Sequence, residues 1–170
     1  MTTLERRAAT SLTVSNRRLV GYAARFNTEA RIADFREVIR PGAFRQSLAS
    51  GHDVLCLRDH DPAVLLGRTK SNTLELREDD EGLYFSLAVP DTQAGRDLLA
   101  LAERGDLGGM SFGFRAVDDA WTDDLRELRA VDLREVSIVQ GFPAYEATSI
   151  EARSRQSFDP NRAWLETVKC

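Results

Sequence analysis

A chain of 170 residues with 42% hydrophobic composition can bury one core and is too short for two ordinary domains. Its formal net charge of −4 and pI near 5.3 argue against a nucleic-acid binder, which needs a basic face. No run approaches the roughly 20 apolar residues that cross a bilayer, and Met1 to Asn16, charged from Glu5 to Arg7, is unlike a secretion signal.

Only Lys70 and Lys169 are lysines among the 23 basic residues, the arginine bias of a GC-rich genome. The two cysteines, Cys56 and Cys170, cannot build a disulfide framework, so a reducing cytoplasm is expected.

Leu19 to Phe26 alternates Val20, Tyr22, Ala24 and Phe26 on one face, the period of a half-buried strand, and is expected to open the folded domain. Pro41-Gly42 introduces a short helix over Ala43 to Ser50, with Phe44 and Leu48 four apart and Gly51 as its stop. Asp53 to Asp59, Thr73 to Arg77 and Leu83 to Val89 read as three further strands, the second with Leu74 and Leu76 inward and the third with Phe85 and Leu87 inward. Thr92 to Arg104 is the clearest helix: Asp91 is its expected N-cap, Ala94, Leu98, Leu101 and Ala102 recur at helical spacing, and Gly105 ends it.

After Gly108-Gly109, strand parity sends Met110, Phe112, Phe114 and Ala116 to one face and Ser111, Gly113, Arg115 and Val117 to the other. Leu125 to Val139 forms one long or two short strands, with Leu133, Glu135, Ser137 and Val139 grouped on one side. Beyond Ala152 the pattern fails; Arg153 to Asn161 is polar, and Asp159-Pro160 caps a short terminal helix at most. The expected division is an N-terminal segment 1–18, a domain 19–152 and a polar, mobile tail 153–170. Six or more strands with few helices and no regular βαβ alternation predict an α+β fold, mainly β with flanking helices.

Chemistry is constrained by there being only two histidines, His52 and His60, since either is the expected base of a serine or cysteine mechanism near neutral pH. His60 stands in Arg58-Asp59-His60-Asp61-Pro62, where a strand should end because Pro62 cannot continue a ladder. It equally reads as a polar turn residue. Ser111 is flanked by Gly108, Gly109 and Gly113, which permit close backbone approach to a hydroxyl, although a bulge beside an ordinary serine has the same signature. Glu135 is a carboxylate in an otherwise apolar strand and needs a cation if its face is buried; on a solvated face it is only the polar half of the strand. A hydroxyl, a base and an orienting acid make an acyl-transfer constellation.

Other chemistries fit less well. On a strand, His52, Cys56 and His60 share a face but lie about 13 Å apart at each step, beyond one zinc ion. Cys56, between Leu55 and Leu57, reads as core. The acidic clusters at Glu78 to Glu81 and Asp118 to Asp124 lack the alternation of a calcium loop and read as hairpin turns. No cofactor and no metal is expected.

In order along the chain, Gly21-Tyr22-Ala23-Ala24-Arg25-Phe26-Asn27, Ile39-Arg40-Pro41-Gly42-Ala43-Phe44, His60-Asp61-Pro62, Leu66-Gly67-Arg68-Thr69, Gly109-Met110-Ser111-Phe112-Gly113-Phe114, Leu133-Arg134-Glu135-Val136-Ser137 and Pro143-Ala144-Tyr145 resemble the prohead proteases of tailed bacteriophages. That family is related in fold to the assemblin proteases of herpesviruses, and the resemblance covers roughly Leu19 to Ala152. It implies a closed or nearly closed, mostly antiparallel β-barrel of about seven strands wrapped by helices. It implies a serine endopeptidase in which Ser111 matches the nucleophile and His60 the base. Glu135 looks like the third member, where assemblins use a second histidine. Val139-Gln140-Gly141-Phe142 departs from the compact link expected before Pro143. The implied partners are the major capsid protein or its scaffolding segment, and the protease itself, with no nucleic acid or membrane and with homo-oligomerisation left open. The implied place of action is the assembling prohead in a bacterial host cytoplasm. The polar tail would be cleaved early and would serve as a packaging signal. The competing reading is an inactive assembly module that binds scaffold.

Overall fold

The computed structural model describes residues 5–9 and 12–141. The tail and the Pro143-Ala144-Tyr145 motif lie outside the described residues.

Among the described residues, eleven strands and two α-helices follow one another. They are β1 (Glu5–Ala9), β2 (Leu12–Ser15), β3 (Arg18–Arg25), β4 (Ala30–Ile32), β5 (Phe35–Ile39), α1 (Arg45–Ala49), β6 (Leu55–Arg58), β7 (Asp61–Arg68), β8 (Leu74–Glu78), β9 (Gly82–Ala88), α2 (Gln93–Arg104), β10 (Gly109–Thr122) and β11 (Leu125–Val139). The mainly β, α+β class agrees with the sequence reading. Both sheets draw on segment 1–18 through β1 and β2.

The barrel does not form. The strands make a seven-stranded mixed sheet, whose main path is β1-β10-β11-β5-β4 with β6 on β11 and β7 on β6, and a four-stranded antiparallel sheet, β2-β3-β9-β8. At the corner between β7, in the larger sheet, and β8, in the smaller, a 3₁₀ turn over Thr69–Ser71 separates the two strands. There Arg68 N–H donates to Thr73 Oγ1 at 2.9 Å and Val54 N–H to Thr69 Oγ1 at 2.9 Å. Threonine hydroxyls thus satisfy backbone donors that a continuing ladder would have used, and the two strands enter different sheets.

One core is shared by both sheets: Leu19, Leu83, Phe85 and Leu87 from the smaller meet Met110, Phe112, Phe114 and Val136 from the larger, with Phe44 and Leu98 between them. Phe112 stacks on Phe114 at 5.2 Å and meets Phe44 edge-on at 5.6 Å. The aromatic row read from parity is therefore the core face of β10.

Several expected elements shift for local reasons. In β3 the buried residues are Leu19, Ala23 and Ala24 rather than one alternating set, because a bulge between Tyr22 and Ala24 changes the parity. The helix N-cap is Thr92, whose side chain accepts from Gly95 N–H, and not Asp91. Asp91 instead pairs with Arg96 and Arg17. Pro62 does not end pairing: it lies inside β7, an edge strand whose register jumps from Leu57 opposite Leu65 to Arg58 opposite Asp61. The jump leaves Pro62 without a ladder partner to disappoint.

The edge strand β1 is fastened by charge. Arg126, 7% exposed, bonds both Glu5 oxygens, at 2.5 and 2.9 Å, as well as Asp119 and Glu37. Desolvation opposes its charge, but these carboxylates outweigh that and raise its pKa. No helix among the described residues is long and apolar enough to cross a membrane.

Candidate active site

The long strand β11 is the spine of the site. Along one edge it pairs antiparallel with β10, placing Ser111 opposite Ser137 and Gly113 opposite Glu135. Along the other it pairs parallel with β6, placing Leu55 opposite Glu135 and Leu57 opposite Ser137. Directly opposite residues share a face, as do alternate residues of a strand. Ser111, Gly113, Glu135 and Ser137 therefore lie on one face, turned away from the aromatic row.

Leu133 does not join them as parity predicts. A register shift between Gly113 and Phe114 sets Leu133 opposite Phe114, in the hydrophobic core. The bulge lets β11 send its apolar residues inward on both sides of a polar stretch.

The base arrives from β6. Asp59 and His60, with φ of 49° and 60°, are the two residues of a tight hairpin turn between Arg58 and Asp61. Positive φ at both central positions matches the twist of the flanking strands, and Asp and His tolerate that conformation better than most. The turn is pinned to β11: Asp59 N–H donates to Ile138 O at 3.0 Å, and Asp59 Oδ1 accepts from Gln140 N–H at 2.8 Å. From there the His60 ring reaches Glu135, with Nδ1 2.6 Å from Oε1. Facing a carboxylate, Nδ1 carries the proton in the neutral ring, which leaves Nε2 as the acceptor.

Close packing requires the glycine at 113. A Cβ there would meet Glu135 Cγ at 2.6 Å and Oε1 at 2.8 Å, so the Glu135 side chain lies directly over Gly113, two residues from Ser111. Gly108 is needed for another reason, since a Cβ on it would meet the Gly141 carbonyl oxygen at 1.9 Å, where the start of β10 passes the end of β11. Ser111 is 0% exposed and Glu135 6%.

The structure thus brings Ser111, His60 and Glu135 to one face of the β6-β11-β10 ladder. His52 is elsewhere: its Nε2 is 2.6 Å from Leu133 O and its Nδ1 2.6 Å from Ser50 Oγ. Cys56 is buried in the core, and burial, with the nearby Glu135 carboxylate second, pushes its thiol up, away from the reactive thiolate. The acidic clusters flank the β8–β9 and β10–β11 turns, where Asp79 Oδ1 accepts from Glu81 and Gly82 N–H. Among the described residues no three His, Cys, Asp or Glu side chains gather as metal ligands.

Two features escaped the sequence reading of the site. Gly113 reads in sequence as allowing close backbone approach to the Ser111 hydroxyl, whereas its space holds the Glu135 side chain. Asp59 carries no catalytic signal of its own, and with Pro62 next to the turn no second strand marks Asp59-His60 as a hairpin.

A hydroxyl, an imidazole bonded to a carboxylate, and their burial on one sheet face are the groups of a Ser-His-acid acyl-transfer site. The chain belongs to the caudovirus prohead serine protease family, whose model matches residues 2–161. It is 34% identical over 140 residues to the prohead protease of Enterobacteria phage HK97, covering 78% of this chain and 58% of that protein. The chain therefore spans a little over half the length of that relative. In fold it resembles the bacteriophage T4 capsid assembly protease, with a TM-score of 0.58 at 11% identity over 81% of this chain and 98% of that one.

Proposed function

We propose that the chain is a serine endopeptidase of phage prohead maturation, with Ser111 as nucleophile, His60 as general base and Glu135 as the orienting acid. The single observation that carries this reading is the 2.6 Å bond between His60 Nδ1 and Glu135 Oε1, made over Gly113 on the strand that carries Ser111.

His60 Nε2 takes the Ser111 proton as Oγ bonds to the scissile carbonyl carbon, and the carbonyl π pair moves to oxygen. Glu135 holds the ring in the required tautomer and stabilises the imidazolium. Collapse of the tetrahedral intermediate breaks the C–N bond, and His60 returns the proton to the leaving amine. Water, deprotonated by His60, then attacks the ester and frees Ser111. Because Ser111 is 0% exposed, the substrate carbonyl reaches it only after its cover moves. That requirement suits an enzyme held inactive until assembly.

The substrates in this reading are the scaffolding segment of the capsid protein and the protease itself, inside the prohead in the host cytoplasm, with the tail from residue 153 as an early self-cleavage region. The names of the relatives in phages HK97 and T4 support that substrate class. Co-expression with the capsid protein of the same phage tests it: the wild type shortens the capsid subunit, and Ser111→Ala leaves it full length. Shortened subunits with the Ser111→Ala variant would sink the assignment.

A further inference from the structure

Ser111 Oγ and Ser137 Oγ are buried with no hydrogen-bond partner among the described residues. Ser137 is 0% exposed. A buried hydroxyl left unpaired is costly, so a fold retains one where something else compensates. Alanine at 137 would lie in the strand without that cost.

The two serines stand directly opposite each other across the β10–β11 ladder and share the face that carries Glu135. Side chains so placed have Cβ atoms roughly 4.5–5.5 Å apart. The hydroxyls are not bonded to each other. An oxygen on the carbon that Ser111 Oγ attacks would then lie within reach of the Ser137 hydroxyl across the ladder.

On the serine-protease reading above, we propose that Ser137 is an oxyanion donor. As Ser111 Oγ bonds to the carbonyl carbon, the charge that develops on the carbonyl oxygen accepts a hydrogen bond from the Ser137 hydroxyl. Ser137 keeps its proton throughout and forms no covalent bond. A side-chain donor is apt here, because the Gln140 N–H at the end of β11 is already taken by Asp59. The hydroxyl has no partner among the described residues and gains one in the transition state, the difference from which rate acceleration comes.

A fluorophosphonate probe tests this on the full chain, since its phosphoryl oxygen stands in for the oxyanion. Ser137→Ala is expected to slow phosphonylation of Ser111 by about 10²–10³-fold, while its Tm stays equal to the wild type or rises. A merely structural serine would lower Tm and leave the rate alone. Ser137→Cys, nearly isosteric and a weaker donor, is expected to label more slowly than wild type; should the alanine variant fail to fold, it decides the matter. In a crystal structure of the wild-type adduct, Ser137 Oγ is expected about 2.7–3.1 Å from the phosphoryl oxygen. Equal labelling rates, or an adduct in which Ser137 bonds only Ser111 Oγ, would overturn the proposal while leaving the protease reading intact. No labelling of the wild type at Ser111, or a label on Ser137, would overturn both.

Discussion

Gly113 and Glu135 face each other across β10 and β11 so closely that the carboxylate side chain fills the space a Cβ on residue 113 would need. The 2.6 Å contact between Glu135 and His60 depends on that vacancy. Gly113→Ala is therefore expected to push the carboxylate aside and cut processing of the capsid protein at least tenfold, with an overpacking cost of about 1–3 kcal/mol in urea unfolding. Full activity in this variant would mean that the carboxylate position is immaterial.

Glu135→Gln preserves the volume and removes the charge. The amide cannot stabilise the imidazolium, and it offers the ring a donor or an acceptor interchangeably, so the tautomer is no longer imposed. Turnover is expected to fall on the order of 10⁴-fold, the loss seen when the orienting acid of a Ser-His-acid site is neutralised. Time courses of capsid-subunit cleavage measure it.

Asp59 acts at one remove, because its carboxylate fastens the turn that presents His60 to β11. Asp59→Ala is expected to cost about 1 kcal/mol of stability, from the lost hydrogen bond and a less tolerant residue in the left-handed region, and to lower activity more than that loss explains. Asp59→Asn keeps an acceptor oxygen and the backbone preference. It should recover most of both.

The other histidine is the control. His52 bonds Leu133 O and Ser50 Oγ, away from the Ser111 face. His52→Ala should lower stability by about 1 kcal/mol through the orphaned carbonyl and leave the cleavage rate of folded protein unchanged. A comparable rate loss in the His52 and His60 variants would contradict the assignment of the base.

Acid sensitivity has a local source at Asp53. The Arg68 guanidinium, joined by the Lys70 backbone N–H, holds the Asp53 carboxyl below the usual carboxylate range. A carboxyl depressed in the folded state favours folding above its unfolded pKa of about 3.9 and loses that contribution as pH falls through the folded value. Asp53→Asn should accordingly melt below the wild type at pH 7, and the gap should close as the pH is taken below about 4. A gap that stays constant down to pH 2 would place the effect in packing.

The strands were legible where one face is apolar and the other polar, as in β8 and β9, and α2 was legible from its spacing and Gly105. β7 was not, because Pro62 suggests a break and Leu65 is 43% exposed, so no alternation marks an edge strand covered on one side only. Parity puts Leu133 on the wrong face because one extra residue in a bulge reverses every assignment beyond it.

Of the site, the sequence by itself determined the chemical vocabulary: two histidines, a glycine-flanked serine, and a carboxylate in an apolar strand, each tied to its residue type. The tertiary structure alone decided which of these meet. The partners are 75 residues apart in the chain for His60 and Glu135, and their contact follows from β11 pairing with β10 on one edge and β6 on the other. Pairing register, bulge positions and the corner between β7 and β8 depend on which backbone groups find partners at long range, and local pattern carries no record of that.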